Sequence, residues 1–244
     1  MVSVIKENIQ LLANKVLKPF NLRLARLAQG VGMDLCLKGL AQRGYSPQVV
    51  LDIGAAQGSW TKLAMQSWPD AGYFMIEPLE ERLPPLQVLT NQHSNIKFIL
   101  AAAGSEAGTL QIGVTQDLDS SSLMYSGTAS REVPIVSIDN LFEQGVIKQP
   151  HFIKIDVQGY ELNVLSGAKK VLKSSDFILL ELQFFRFSSE MILLHESIAW
   201  MNEQNFQPYE IVNVLRRPLD NAMGQCDILF IRKDHWLLKS QNWS

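Results

Sequence analysis

The chain has 244 residues, 47% of them hydrophobic, which is enough to bury one large α/β core. A formal net charge of −2 and a pI near 6.1 give no sign of a surface built for nucleic acid, although a local basic patch is compatible with that balance. The two cysteines, Cys36 and Cys226, stand too far apart for zinc-site or disulfide-framework spacing, so reduced thiols and a cytoplasmic location are the expectation.

Residues 1–45 read as a helical extension ahead of a main domain at 46–244. The extension carries seven basic and two acidic side chains, a net of +5. Charges interrupt its apolar runs, so neither a transmembrane span nor a signal-peptide core of adequate length fits. Val4, Ile5, Ile9, Leu12, Val16 and Phe20 form a helical stripe. Such a stripe docks on its own domain or a second subunit, giving a homodimer, more often than it lies on an anionic membrane surface.

The main domain opens with Val49–Ile53, an apolar run ending beside Asp52 that suits a parallel strand covered on both faces. Gly54 and Gly58 then allow a sharp turn with close backbone approach. Trp60, Leu63, Ala64 and Trp68 recur at helical spacing, so the loop feeds a helix N-terminus. Tyr73–Ile76 is a second strand, closed by Glu77-Pro78. Residues 79–92 read as helical, with Pro84 and Pro85 expected to end or kink the helix near Leu83. Ile96–Ala102 and Thr109–Val114 read as strands, and the Ser-, Asp- and Gly-rich segment 116–130 as a long surface loop and candidate substrate lid.

Val133–Ile138 and Ile153–Val157 are further strands, with a short helix near Asp139–Gln144 between them. Glu161–Leu172 is a helix interrupted by Gly167, Phe177–Leu182 a core strand, and Met191–Asn205 a helix that carries His195. Tyr209–Leu215 and Ile228–Ile231 close the chain as a hairpin. Strands separated by helices require right-handed crossovers and a mostly parallel sheet. In such a sheet ligands bind outside the carboxyl ends of the strands. That edge receives Glu77, which lies 25 residues after Asp52 and suits the ribose hydroxyls of a nucleotide; Asp156 and Glu181 end strands at the same edge.

Lys154 stands inside an apolar strand, where an ammonium must be paired or lose its proton. Asp156, two positions on, shares its face, and Glu161 opens the next helix, where a carboxylate favours the dipole. A buried ion-pair cluster that shapes the site without doing chemistry is as good a reading of Lys154 as a direct role.

Asp52-x-Gly54-x-x-x-Gly58 resembles the first motif of S-adenosylmethionine-dependent methyltransferases with a Rossmann-like fold. The run Lys154-Ile-Asp156-Val-Gln158-Gly159-Tyr-Glu161, followed by Val164-Leu-Ser-Gly-Ala168, is similar to the signature of the FkbM-type methyltransferases. Asp52-Ile-Gly-Ala55, Glu77-Pro78, Ser121-Ser122-Leu123 and Ser137-Ile-Asp139 extend the resemblance over roughly residues 48–232.

The resemblance implies an α/β, Rossmann-like class I methyltransferase fold: a seven-stranded, mostly parallel sheet with an antiparallel edge strand and helices on both faces. It also implies S-adenosylmethionine as donor and a hydroxyl of a sugar, glycan or natural product as acceptor. The donor contacts would be Asp52, Gly54, Ala55, Gly58, Glu77, Pro78, Ala102 and Asp156. Acceptor contacts would be Ser121, Ser122, Lys154 and Gln158.

A hydroxyl acceptor must lose its proton, to a side-chain base or with help from a divalent metal such as magnesium. Asp156 and Glu181 are candidates for either task, as base or as metal ligands. His195 is a further candidate base, though a histidine in an apolar helix is more often a core residue. Two rivals stand beside this reading: a nucleic-acid 2′-O-methyltransferase, which should display a basic groove, and a non-catalytic S-adenosylmethionine-binding protein.

Overall fold

The computed structural model describes residues 13, 15–16, 18–20, 32–114, 118, 129–186, 191–240 and 242. Helix α1 (Met33–Gln42) precedes strand β1 (Val49–Ile53), helix α2 (Ser59–Ser67) and strand β2 (Gly72–Glu77). A short 3₁₀ turn at Glu80–Arg82 leads into α3 (Leu83–Gln92), then β3 (Ile96–Leu100), β4 (Ala102–Ala103), β5 (Gly108–Val114) and β6 (Ala129–Val136). Helix α4 (Ile138–Glu143), β7 (Phe152–Ile155), α5 (Glu161–Ser166), α6 (Lys169–Leu172) and β8 (Phe177–Gln183) follow. The chain finishes with α7 (Leu194–Glu203), β9 (Phe206–Arg216) and β10 (Met223–Arg232).

Seven strands form one sheet in the order β3-β2-β1-β7-β8-β10-β9. In this sheet β3, β2, β1, β7 and β8 pair in parallel, while β10 is antiparallel to both β8 and β9. The reversed strand therefore sits one place in from the edge, inserted as the return arm of the terminal hairpin.

Alternation along β1 explains why both faces are covered. Val49, Leu51 and Ile53 join a core with Ile138, Val164, Leu165 and Val171 from α4, α5 and α6. Val50 faces the other way into a core with Leu37 and Leu40 of α1, Ala64 of α2 and Leu86 and Leu89 of α3. Each fully buried Leu or Phe contributes about 1.5–3 kcal/mol. Helix α1 thus shares one core with the sheet. Among the described residues no helix is long and apolar enough to cross a membrane.

Two sequence expectations shift. The proline pair does break the segment at Leu83, but it starts α3 there, because the first turn of a helix has no N–H partner for proline to forfeit. The expected strands Thr109–Val114 and Val133–Ile138 do form, yet they leave the main sheet and build a second one, β4-β6-β5. This small sheet carries its own apolar cluster of Leu79, Ala102, Ile112, Val114 and Val133. The interruption expected at Gly167 in the helix over 161–172 is present, and only glycine fits there: a Cβ would lie 2.1 Å from the Gly104 carbonyl oxygen. Ser137 Oγ donates to the Gly167 carbonyl at 3.0 Å, and Asp139 accepts from the Lys170 and Val171 N–H groups, so this part of the signature holds backbone together.

Candidate active site

The carboxyl ends of β1, β2 and β7 meet at two adjoining cavities. The first, of about 230 Å³, is lined by Glu77, Pro78, Arg82 and Ala102, with Ile112 and Leu118 from the small-sheet region. The second, of about 200 Å³, is lined by Met33, Ala55, Trp60, Lys154, Glu181 and Asp227. Gly54, Ala56 and Asp156 line both, and Asp156 is the one charged side chain among the three.

The turn after β1 is held by its neighbours. Gly54 and Ala55 donate backbone N–H groups to the Ile76 carbonyl at 2.9 and 3.2 Å. Ala56 N–H donates to Glu77 Oε2 at 2.8 Å, and Leu79 N–H to Oε1 at 3.0 Å. Burial raises the Glu77 carboxyl above its ordinary value, against the pull of those two N–H groups. Gly54 adopts φ +72°, and a Cβ there would stand 1.8 Å from the Asp156 carbonyl oxygen. Its glycine is therefore required by the neighbouring strand end, before any ligand is considered.

Behind this turn lies a buried ion-pair cluster. Register places Asp52 beside Lys154 on adjacent parallel strands, so both side chains leave the same face. Lys154 Nζ donates to the Gly54 carbonyl at 2.7 Å and lies 3.1 Å from Asp52 Oδ1 and 3.6 Å from Asp156 Oδ2. Asp52 Oδ1 faces the ammonium as an ion pair without hydrogen-bond alignment, and Oδ2 accepts from Thr61 Oγ1 at 2.7 Å. Burial alone would lower the Lys154 pKa; Asp52 and Asp156 outweigh it and keep the ammonium charged.

The turn after β7 is pinned by Glu161, whose Oε1 accepts from the N–H groups of Val157 at 3.2 Å and Gly159 at 3.0 Å. Burial pushes this carboxyl up to about 7, against those same hydrogen bonds. Gln158, at φ +56°, turns back so that its amide donates to Asp156 Oδ1 at 3.1 Å and Glu181 Oε1 at 3.2 Å. Glu181 also accepts from Gln183 at 3.1 Å and Gln225 at 2.7 Å. Burial, then the charge of Asp156, raises its carboxyl far above the ordinary range. Asp227 stands opposite Glu181 on β10, and burial followed by Asp156 pushes it up to about 6.

Several residues singled out in the sequence thus come together: Gly54, Glu77, Pro78, Ala102 and Asp156 at the first cavity, joined there by Gln158, and Ala55, Lys154, Asp156 and Glu181 at the second. Others do not. Asp52 is fully buried beneath the site and lines neither cavity. Gly58 is the N-cap of α2 and packs toward Leu86 and Leu89. His195 is exposed on the first turn of α7 and lines neither cavity. Ser121, Ser122 and nearly all of 116–130 lie outside the described residues, as does most of the N-terminal stripe.

Asp227, Met33 and Trp60 were missed. Asp227 had a signal, an acid inside the strand-like run Cys226–Ile231; Met33, which accepts from Trp60 Nε1 at 3.2 Å, had none.

Among the described residues, no group of three or more His, Cys, Asp or Glu side chains is arranged to hold a metal ion. Asp156 and Glu181 do not fit the task as a pair. Three side-chain amides already occupy Glu181, and its raised pKa favours the neutral acid, a poor ligand for a hard cation.

The family description "Methyltransferase FkbM domain" matches residues 52–208. The chain belongs to the FkbM methyltransferase family. Hexuronic acid methyltransferase AglP of Haloferax volcanii is 37% identical over 57 residues, which is 23% of this chain and 24% of that protein. The chain therefore matches about a quarter of that relative's length. The crystal structure of methyltransferase FkbM from Methylobacillus flagellatus KT superposes with a TM-score of 0.51 at 17% identity. It covers 75% of this chain and 44% of that one, and supports the Rossmann-like fold.

Proposed function

We propose that this FkbM-family methyltransferase takes its methyl group from S-adenosylmethionine and transfers it to a hydroxyl of a sugar or glycan. The observation that carries the reading is the pair of adjoining cavities at the carboxyl ends of the parallel strands, with Asp156 at their shared wall. The first cavity offers apolar walls from Ile76, Ile112 and Leu118 for an adenine, and the Glu77 carboxylate for ribose hydroxyls. The hexuronic acid methyltransferase relative supports a sugar acceptor, over the short stretch that it matches.

When bound, S-adenosylmethionine supplies a methyl group already activated as a sulfonium. What the chain must add is alignment of the acceptor oxygen and a place for its proton. Asp156 is the residue we assign to that oxygen. Its side chain is 37% exposed, reaches both cavities, and is held by Gln158 on one oxygen and Lys154 on the other. Glu181 lies deeper and is raised toward neutrality, so it serves to position Gln158. Lys154 and Asp52 fix the strand ends from below.

The test has two readouts. Calorimetry should detect S-adenosylmethionine binding to the wild-type protein. Labelled methyl transfer into separated carbohydrate, lipid and RNA pools should place the label in carbohydrate, with loss in Asp156→Asn. Label in RNA would favour the nucleic-acid rival, and absence of donor binding would remove the proposal.

A further inference from the structure

We infer that Asp227, together with Asp156, lets the second cavity read the charge on the donor's sulfur, holding the sulfonium and releasing the neutral thioether. The inference rests on the donor reading above. In the transfer the S–CH₃ bond breaks and an O–CH₃ bond forms. The electron pair stays on sulfur and the hydroxyl proton leaves, so the donor's sulfur loses its positive charge during the reaction.

A donor reaching from the first cavity into the second must pass the residues that line both. Gly54 and Ala56 offer only backbone and a methyl, which leaves Asp156 as the charge at the junction. Asp227 and Glu181 stand beyond it, opposite each other on antiparallel β10 and β8, and both line the second cavity.

The charges facing this cavity are unbalanced. Among the described residues Lys154 is the single cation lining it, and it already serves Asp52 at 3.1 Å as well as Asp156 at 3.6 Å. Arg82 lines only the first cavity. One ammonium among Asp52 and Asp156 leaves a net negative charge before Asp227 and the nearby Glu161 are counted. Burial is the main reason these carboxyls are raised, and the charge of Asp156 adds to it at each of Asp227, Glu181 and Glu161. A cation entering the cavity relieves that negative charge, and a thioether does not. The aminoacyl arm is common to donor and product, so the sulfur is the group that distinguishes them.

Calorimetry with S-adenosylmethionine and S-adenosylhomocysteine, at about pH 8, where Asp227 is ionised, tests this without any acceptor. Wild type should bind the sulfonium about tenfold more tightly than the thioether. In Asp227→Asn that preference should shrink severalfold, and in Asp227→Asn with Asp156→Asn the two affinities should agree to within about twofold. Thioether affinity should stay nearly constant across the series. Because a cation favours ionised carboxylates, sulfonium binding near pH 6 should also release more protons than thioether binding, read from enthalpies in two buffers. A structural role for Asp227 would not move that proton count. Should Asp156→Asn fold poorly, the single Asp227→Asn variant, at a half-buried position, still decides. Equal wild-type affinities, or a preference that survives every variant, would overturn the inference alone. Failure of both ligands to bind would remove the donor reading and this inference with it.

Discussion

The turns after β1 and after β7 solve the same problem with different materials. Both leave the carboxyl end of a central parallel strand, both place a non-glycine residue at positive φ (Ala56 at +47°, Gln158 at +56°), and both are pinned by a buried glutamate. The first turn presents backbone and small side chains to the cavities. The second presents Asp156 and Gln158, two polar groups backed by Lys154, Glu181 and Asp227. The contrast teaches that one turn supplies shape and the other supplies charge. Substitutions should accordingly damage folding at the first and charge-dependent ligand behaviour at the second.

The comparison breaks most severely at Gly54. A Cβ there would stand 1.8 Å from the Asp156 carbonyl oxygen, a backbone atom, and the position is held at φ +72°. Gly54→Val should cost more than about 4 kcal/mol and leave little folded protein on chemical denaturation. Normal stability with lost donor binding would instead mean that the glycine leaves room for a ligand. Asp52→Asn comes next. It removes the 3.1 Å partner of an ammonium that is nearly inaccessible, and about 3 kcal/mol of stability should go with it. A melting temperature within two degrees or so of wild type would show that Asp156 and the Gly54 carbonyl suffice for Lys154.

A smaller effect separates the turns by pH. Glu161 titrates near 7 in the folded protein and near the ordinary carboxylate value when unfolded; Asp227 titrates near 6. Between those values the unfolded chain has released protons that the folded chain still binds. Stability then falls as pH rises, by about 1–2 kcal/mol from pH 6 to pH 8. Thermal melts should show the slope, and Glu161→Gln should flatten its part between about pH 5 and 7. A wild-type protein equally stable across that range would mean that these carboxyls are better solvated than their burial implies.

How much of this was legible in the sequence depends on the kind of signal. Apolar runs such as Val49–Ile53 and Phe177–Leu182 announce buried strands because both faces are covered. Strand ends then place Glu77, Asp156 and Glu181 at one edge. The small sheet was illegible as a separate layer, because alternation in Thr109–Val114 marks a strand without naming its partner. Asp227 escaped because its pairing with Glu181 is set by hairpin register, and Met33 because a helix in the N-terminal segment reaches the site only through tertiary packing. His195 shows the converse: helical spacing suggested an apolar setting, while the fold starts α7 at Leu194, three residues after the expected Met191, and leaves the ring exposed.

The smallest stability effect belongs to Asp156, and it tests the division between the turns most directly. From the sequence alone, Asp156→Asn threatened to leave a buried ammonium without a partner. In the fold Lys154 keeps Asp52 at 3.1 Å and the Gly54 carbonyl at 2.7 Å, and Asp156 is the most distant of its three contacts. Asparagine can still accept from the Gln158 amide through its own carbonyl oxygen. The stability cost should therefore stay below about 1 kcal/mol, in the range of a half-exposed ion pair. Methyl transfer, by contrast, should fall by about 10²–10⁴-fold if the carboxylate aligns the acceptor hydroxyl and takes its proton. Melting and turnover measured on the same preparation give the answer. A variant that melts several degrees lower and loses turnover in proportion would move Asp156 into the supporting cluster with Asp52. One that melts and turns over like wild type would leave the second turn with no charge-dependent task.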